Sequence, residues 1–455
     1  MQTTIKTDYT LLELPYCADV SAQVDALHGL QERVWLDSGS RSQGQWHIVS
    51  AAPDQVAEQF NHAQPALFER AAALLAELPV VDLPELPFTG GVVGLFGYAA
   101  NHSALRVAEP PANPAACSTL PVARIARYRW AALTDQHNQR SWLFFDSSCS
   151  SVFIADICRR LEKLGSTSES PATPFHLKRA FQATSSAEQH QTAVSRTKEY
   201  IAAGDCYQAN IAQHFSAPYR GDTFDAYRAL RSVLPSPHSG YWQWRHNGRD
   251  VALLSHSPER FIQLDQRRVE TKPIKGTIAR GNDAQEDAAN AQWLEESEKN
   301  RAENVMIVDL MRNDLSRCCE PGSVKVDKLF ALESYANVHH LVSSVTGQLK
   351  THCSSAELLG ECFPGGSITG APKRRSMQVI DELEPVGRSY YCGTLACLSS
   401  NGRMDSSITI RTAVADGEQL HLWGGGGIVA DSDPEAEQLE SLAKIALIME
   451  TLEAL

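Results

Sequence analysis

Apolar and polar positions along this 455-residue chain change their period several times, and each change predicts an element. Between 66 and 78 the apolar residues recur at helical spacing, whereas 91–98 and 141–145 are short apolar runs of strand character. Val194, Thr197 and Ile201 share one helical face, and Gly204 is a natural stop for that helix. A strand is predicted over 207–215. Two more, 251–255 and 261–264, bracket a turn at Pro258. Residues 287–313 read mostly as helix and 338–345 as strand. Helices and strands do not alternate as βαβ units, so the class is α+β. A tract rich in Ser, Thr and Pro at 165–174 is the best linker candidate. It separates an N-terminal region, 1–150, from a second region, 185–455.

Composition narrows the class without choosing a function. Hydrophobic content of 43% and charged content of 21% suit a protein with a large buried core. A net charge of −13 argues against nucleic acid and anionic membrane surfaces as partners. The 11 cysteines form no C-x-x-C pair and no zinc spacing, which predicts reduced thiols in a cytoplasmic protein. The N-terminal stretch lacks the apolar run of a signal peptide, and no segment approaches the ~20 apolar residues of a membrane span. Gly365 and Gly370 have P-loop spacing, but Ala371-Pro372-Lys373 follows where Lys-Ser/Thr is needed.

Four constellations could carry chemistry. In Ser257-Pro258-Glu259-Arg260, proline stiffens the turn and fixes the direction of a carboxyl group suited to general acid work. In Pro273-Ile274-Lys275-Gly276, a constrained backbone surrounds one amine, and lysine loses its proton readily when buried. Asn300 and Glu303 share one helix face, and Glu437 and Glu440 share another, behind the strong helix start Ser432-Asp433-Pro434-Glu435. If those faces meet, their carboxylates make a hard oxygen site for Mg²⁺. The fourth set comprises 365–373, the bare glycines 424–427, and Arg411, which alternates with apolar neighbours as if on a strand. Glycine amides and a buried arginine both suit carboxylate binding. Taken singly, each of these is an ordinary surface or turn feature.

Together the segments SPER, PIKGT, KNRAEN-VMIVDLMRNDL, HHLVS, GGSITGAPK, YYCGT, ITIRT and GGGGIVADSDPEAE resemble the chorismate-utilising enzymes, in the same order, over about 190–450. The first 150 residues are similar to the N-terminal region of that family, through 34–38 and 90–98. The resemblance implies two packed sheets with helices outside and an active site between them. It implies Mg²⁺ held by Glu303 and Glu440, with Glu437 close by, and a departure at Asn300, where relatives carry Glu. It places Thr369, Tyr391, Arg411, Gly425, Gly427 and His340 around the substrate. Glu259 matches the acid that helps the ring C4 hydroxyl leave.

Two positions divide the family. Isochorismate and salicylate synthases carry a lysine base where this chain has Gln208, and an amide is no base. Anthranilate synthases share the glutamine but have a small residue in place of Lys275. Lys275 with Gln208 resembles the large subunits of aminodeoxychorismate synthase. This implies Lys275 as a nucleophile and 4-amino-4-deoxychorismate as product, on the route to p-aminobenzoate and folate. With no G-x-C-x-G turn in the chain, ammonia is expected from a separate glutamine amidotransferase subunit, in a heterodimer. Ser38 lies where relatives have a tryptophan pocket. The alternatives are an anthranilate synthase large subunit and a non-catalytic chorismate- or tryptophan-binding subunit.

Overall fold

Side-chain alternation along the strand His238–His246 sets the layering of the molecule. Trp242 and Trp244 enter one hydrophobic core, while Tyr241, on the opposite face of the strand, enters another. The strand therefore lies in a sheet buried on both sides. The computed structural model describes residues 3–61, 64, 66–107, 117, 119–162, 173–335 and 338–455. Of the expected linker, residues 165–172 lie outside those described.

Among the described residues there are two antiparallel sheets, one of fourteen strands and one of ten. The first core fills the space between them, joining Val92, Leu95 and Leu264 of the smaller sheet to Trp242, Leu253 and Trp423 of the larger. The second core lies under helices on the outer face, where Phe224, Tyr227, Ile445 and Leu452 meet Trp35 and Tyr241. This is the α+β sandwich the sequence predicts. The N-terminal region contributes to both sheets: Val34–Asp37 pairs with His238–His246, and Gly91–Phe96 pairs with Thr394–Ser399.

Most expected elements form, with instructive shifts. The 66–78 helix spans Phe68–Ala76, and the strand at 207–215 runs on to Gln208–Arg220. The helix before it, Ala187–Ala202, starts on a reciprocal Ser186–Gln189 cap, and Gly204 follows its end at φ +82°. The single helix expected over 287–313 is two, Ala284–Glu296 and Glu298–Cys318. Ser297 is extended (ψ 104°) and its hydroxyl caps the second helix at the Asn300 amide. The strands expected around Pro258 are Arg249–Ser257 and Arg260–Asp265, and they belong to different sheets.

That last difference positions the site. Arg249–Ser257 pairs with Thr412–Ala415 in the larger sheet, and Arg260–Asp265 pairs with Met404–Ile408 in the smaller. Both partners cross between sheets together, at 258–259 and 409–411. Their backbones stay bonded through the crossing, the His256 amide donating to Arg411 O (3.0 Å) and the Ile408 amide to Glu259 O (3.1 Å).

A buried ion pair clamps the adjoining wall. Arg388 donates to Glu384 Oε1 (2.6 Å) and to the carbonyls of Ile368 (3.0 Å) and Asn210 (2.7 Å). Glu384 Oε1 in turn accepts the Ala212 amide at 2.8 Å. The helix Lys373–Leu383, the loop at 366–369 and the strand Gln208–Arg220 are thereby fixed to one another. Arg388→Met should lower stability on the order of 3–5 kcal/mol, because it strands a buried carboxylate. Thermal unfolding reads this directly. Arg196→Met, which breaks an exposed pair with Glu199, should leave the midpoint nearly unchanged.

Candidate active site

Glu259 sits at the crossing between the sheets and is buried. Its amide donates to Ser257 Oγ at 3.2 Å, which fixes the turn after Pro258. Burial pushes its carboxyl up to about 7, against the opposing effects of the Ser367 hydroxyl, the Lys275 charge and the Ile274 amide. A carboxyl group titrating near neutrality can hold and release a proton under physiological conditions.

Lys275 lies on the strand Ile274–Ala279, at the edge of the smaller sheet. Gly276 beside it has φ +86°, and a Cβ there would meet Leu294 Cδ1 at 2.8 Å and Asn300 Cγ at 2.9 Å. Both helices after the strand thus close down on the lysine segment, which only glycine permits. The Lys275 residue keeps part of its surface accessible, yet its amine is enclosed. Burial pushes the amine below the usual lysine range, with Lys444 adding to the effect and Glu303, Glu259 and Glu440 opposing it.

The two carboxylate-bearing helices do face one cleft. Burial raises Glu303, and the charges of Glu437 and Glu440 raise it further, while Lys275 and Lys299 oppose. Burial also acts on Glu440, but Lys444, Lys299 and Lys275 hold it below the ordinary range. Glu437 accepts the Ser432 hydroxyl at 2.7 Å, and Lys299 lies 3.6 Å from its Oε1. Among the described residues only Cys117, Asp416 and His421 bring three ligand atoms all within 4.8 Å of one another. His421 there bridges Asp416 (3.3 Å) and His214 (3.1 Å), an internally satisfied network. The glutamates are spread wider, with lysines among them. In donor type and charge they fit a hard cation such as Mg²⁺.

Arg411 and the glycines 424–427 form a second group, with donors of the kind that suit an anion. Arg411 is not on a strand as expected: it occupies the bend between Met404–Ile408 and Thr412–Ala415, with φ +49°. The crossing between sheets takes it out of the ladder. Its guanidinium has no ion pair or hydrogen bond among the described residues, and burial depresses its pKa. Gly424–Gly427 form part of the strand Gln419–Ile428, paired on one side with Gln208–Arg220. On the other side the pairing with Thr412–Ala415 ends at Leu422, so among the described residues no strand pairs with the glycine edge, and Lys444 takes the Gly425 carbonyl there. A Cβ at Gly427 would collide with Gln208 Nε2. The Gln208 amide is wholly buried, and neither its oxygen nor its nitrogen has a hydrogen-bond partner among the described residues.

The remaining candidates divide. His340 Nδ1 lies 2.8 Å from Thr277 Oγ1, and burial first, then Arg411, lowers its pKa to about 4, leaving a neutral imidazole beside the lysine segment. Tyr391 is buried and stacks on Trp423 (6.1 Å, 7°). Thr369 turns inward: its hydroxyl donates to Gly365 O at 2.9 Å, so it shapes its loop. Lys373 is also committed, to Asp314 (2.7 Å) and Cys362 O (2.8 Å). Asn300 donates to Ser297 Oγ at 2.9 Å and serves the cap. Ser38 is elsewhere, lining a separate cavity of about 540 Å³ with Asp37, Arg260, Lys272 and Asp405. Sequence reasoning missed Lys299 and Lys444, and it placed Ser367 in the carboxylate-binding set, whereas its hydroxyl serves Glu259. The i,i+4 spacings Lys299–Glu303 and Glu440–Lys444 were the available signal for the lysines.

Comparison with known proteins identifies the family. The family described as chorismate binding enzyme matches residues 31–450. The aminodeoxychorismate synthase component 1 of Klebsiella aerogenes is 45% identical over 371 residues, 82% of this chain and 79% of that protein. That of Escherichia coli K12 is 43% identical over 369 residues, 81% of this chain and 78% of that one. The anthranilate synthase component 1 of Pseudomonas aeruginosa is 36% identical over 411 residues, covering 88% and 82%. Among solved structures, anthranilate synthase component I of Streptococcus pneumoniae superposes with a TM-score of 0.77 at 28% identity, covering 89% of this chain and 92% of that one. The menaquinone-specific isochorismate synthase of Escherichia coli, at 18% identity and a TM-score of 0.73 over 99% and 96%, shares the fold. With its whole cleft inside the matched region, this chain belongs to the chorismate binding enzyme family.

Proposed function

We propose that this enzyme aminates chorismate to 4-amino-4-deoxychorismate, a precursor of p-aminobenzoate and folate, using ammonia from a separate glutamine amidotransferase. The observation that carries the reading is Lys275, an enclosed amine with a depressed pKa set between Glu259 and Glu303. The relatives named component 1 supply the partner half of the proposal, since that name belongs to one part of a pair. Glu303 and Glu440, with Glu437 beside them, would hold Mg²⁺, which when bound neutralises the ring carboxylate of chorismate.

The residues act in sequence. Arg411 and the glycine edge take the enolpyruvyl carboxylate, with Tyr391 and neutral His340 packing around it. The Lys275 nitrogen forms a bond to C2, the ring double bonds shift, and the C4–O bond breaks. Glu259 gives its proton to that oxygen, which leaves as water. Ammonia then forms the C4–N bond, the double bonds return, and the C2–N bond breaks to release the lysine. An enclosed amine is a nucleophile suited to such a covalent route. Gln208, in place of a lysine base, does not activate water, and its unpartnered amide is available to a neutral nucleophile. Ser38 lies away from this chemistry, at the position where relatives have a tryptophan pocket.

Incubating the chain with chorismate, Mg²⁺ and ammonium should yield 4-amino-4-deoxychorismate by mass spectrometry. Anthranilate with pyruvate would instead assign it to the anthranilate synthase branch, and no product to a binding subunit. Intact mass spectrometry of the enzyme under turnover should reveal an adduct that Lys275→Ala abolishes, together with most of the rate. An acid with a pKa near 7 is protonated below that value, so kcat/KM should fall as pH rises through about 7. Glu259→Gln should cost roughly 10²–10⁴-fold in kcat and erase that limb of the profile. A limb that persists in the variant belongs to another group.

A further inference from the structure

The carboxylate cluster carries its own counter-charges, and the two lysines that supply them are not equivalent. Lys444 pairs with Glu440 at 2.8 Å, four residues back on the same helix, and donates to Gly425 O at 3.1 Å. It is held by both helix and sheet. Lys299 belongs to the helix Glu298–Cys318 but places its ammonium 3.6 Å from Glu437 Oε1, on the helix Pro434–Glu453. It is the ion pair that spans the gap between the two walls bearing the carboxylates. Its side chain is 54% exposed, while that of Glu437 is 6% exposed. A half-exposed ammonium thus faces, from across a cleft, an almost buried carboxylate whose Oε1 also accepts the Ser432 hydroxyl.

A long-stemmed ammonium and a divalent ion compete for the same negative potential. Mg²⁺ takes carboxylate oxygens at about 2.0–2.1 Å, and a cation a few ångströms away opposes its entry by direct Coulomb repulsion. Lys444 cannot leave without giving up a backbone carbonyl as well. Lys299 has one salt-bridge partner to release and open solvent to move into.

We propose that Lys299 is a built-in counter-cation of the metal cleft, bridging to Glu437 when no divalent ion is bound and yielding that carboxylate when Mg²⁺ enters. It thereby sets the Mg²⁺ affinity, without being a metal ligand or a catalytic group. The inference rests on the reading of Glu303, Glu437 and Glu440 as the Mg²⁺ site.

Isothermal titration of the full chain with Mg²⁺ alone tests it. Lys299→Gln should bind Mg²⁺ roughly three- to tenfold tighter than wild type, the size expected for removing one partly screened charge. Lys299→Arg keeps the charge and should retain the wild-type affinity. In EDTA, Lys299→Gln should melt below wild type, and it should gain more than wild type on adding Mg²⁺. An unchanged or weaker affinity in Lys299→Gln overturns the proposal, provided Glu303→Gln still loses binding. If Glu303→Gln binds Mg²⁺ like wild type, the ion is not in this cluster and both readings fall.

Discussion

Everything at the cleft depends on a backbone constraint: two paired strands must leave one sheet and enter another without breaking their mutual hydrogen bonds. The pair formed by Arg249–Ser257 with Thr412–Ala415 meets that demand by bending as a unit, and continues as Arg260–Asp265 with Met404–Ile408. Pro258 has no amide to lose at the bend, and Arg411 absorbs the turn in a left-handed conformation. Side chains at such a bend are aimed by two ladders at once. Glu259 and Arg411 are those side chains, so the buried carboxyl and the guanidinium are held by the same few backbone bonds that tie the sheets together.

Electrostatics is the second organising fact. The cleft holds acids and amines at close quarters, and burial moves them toward their neutral forms while their mutual attraction resists. Glu259, poor in compensating partners, ends near neutrality. Glu440, ringed by three lysines, stays acidic. Lys275 feels both kinds of neighbour and still ends below its ordinary range. Environment, more than residue type, separates a proton carrier from a permanent charge.

Much of this was legible in the chain, for reasons that differ by element. Strands such as Gln208–Arg220 and helices such as Pro434–Glu453 announce themselves through period and caps, which are local. The break at Ser297 was not recognised because residues 295–304 are almost wholly polar and rich in good helix formers, so no change of period marks it, although the serine is a good cap. Arg411 was misplaced on a strand because alternation reports only which face a residue takes, not whether its strand changes sheets. Thr369 and Lys373 looked available for an anion, yet both spend their polar atoms on nearby chain, a pairing set by tertiary geometry. The convergence of Glu303 with Glu440 came from family resemblance, since spacing on two separate helices says nothing of whether they meet.

The sharing of both sheets between the two ends of the chain has a consequence for biogenesis. Thr89 bonds to Ser399, 310 residues further along, and the strand after it pairs with Thr394–Ser399. At ribosomal speeds of about 5–20 residues per second, that partner emerges roughly 15–60 s later. Until then Gly91–Phe96 is flanked on one side only, by Ala123–Tyr128, and closing so long a loop for its other edge is entropically slow. The nascent chain therefore carries an unpaired strand edge over that interval. The sandwich cannot close before residues 394–399 emerge, and the cleft, built where later strands cross, is among its last parts to form.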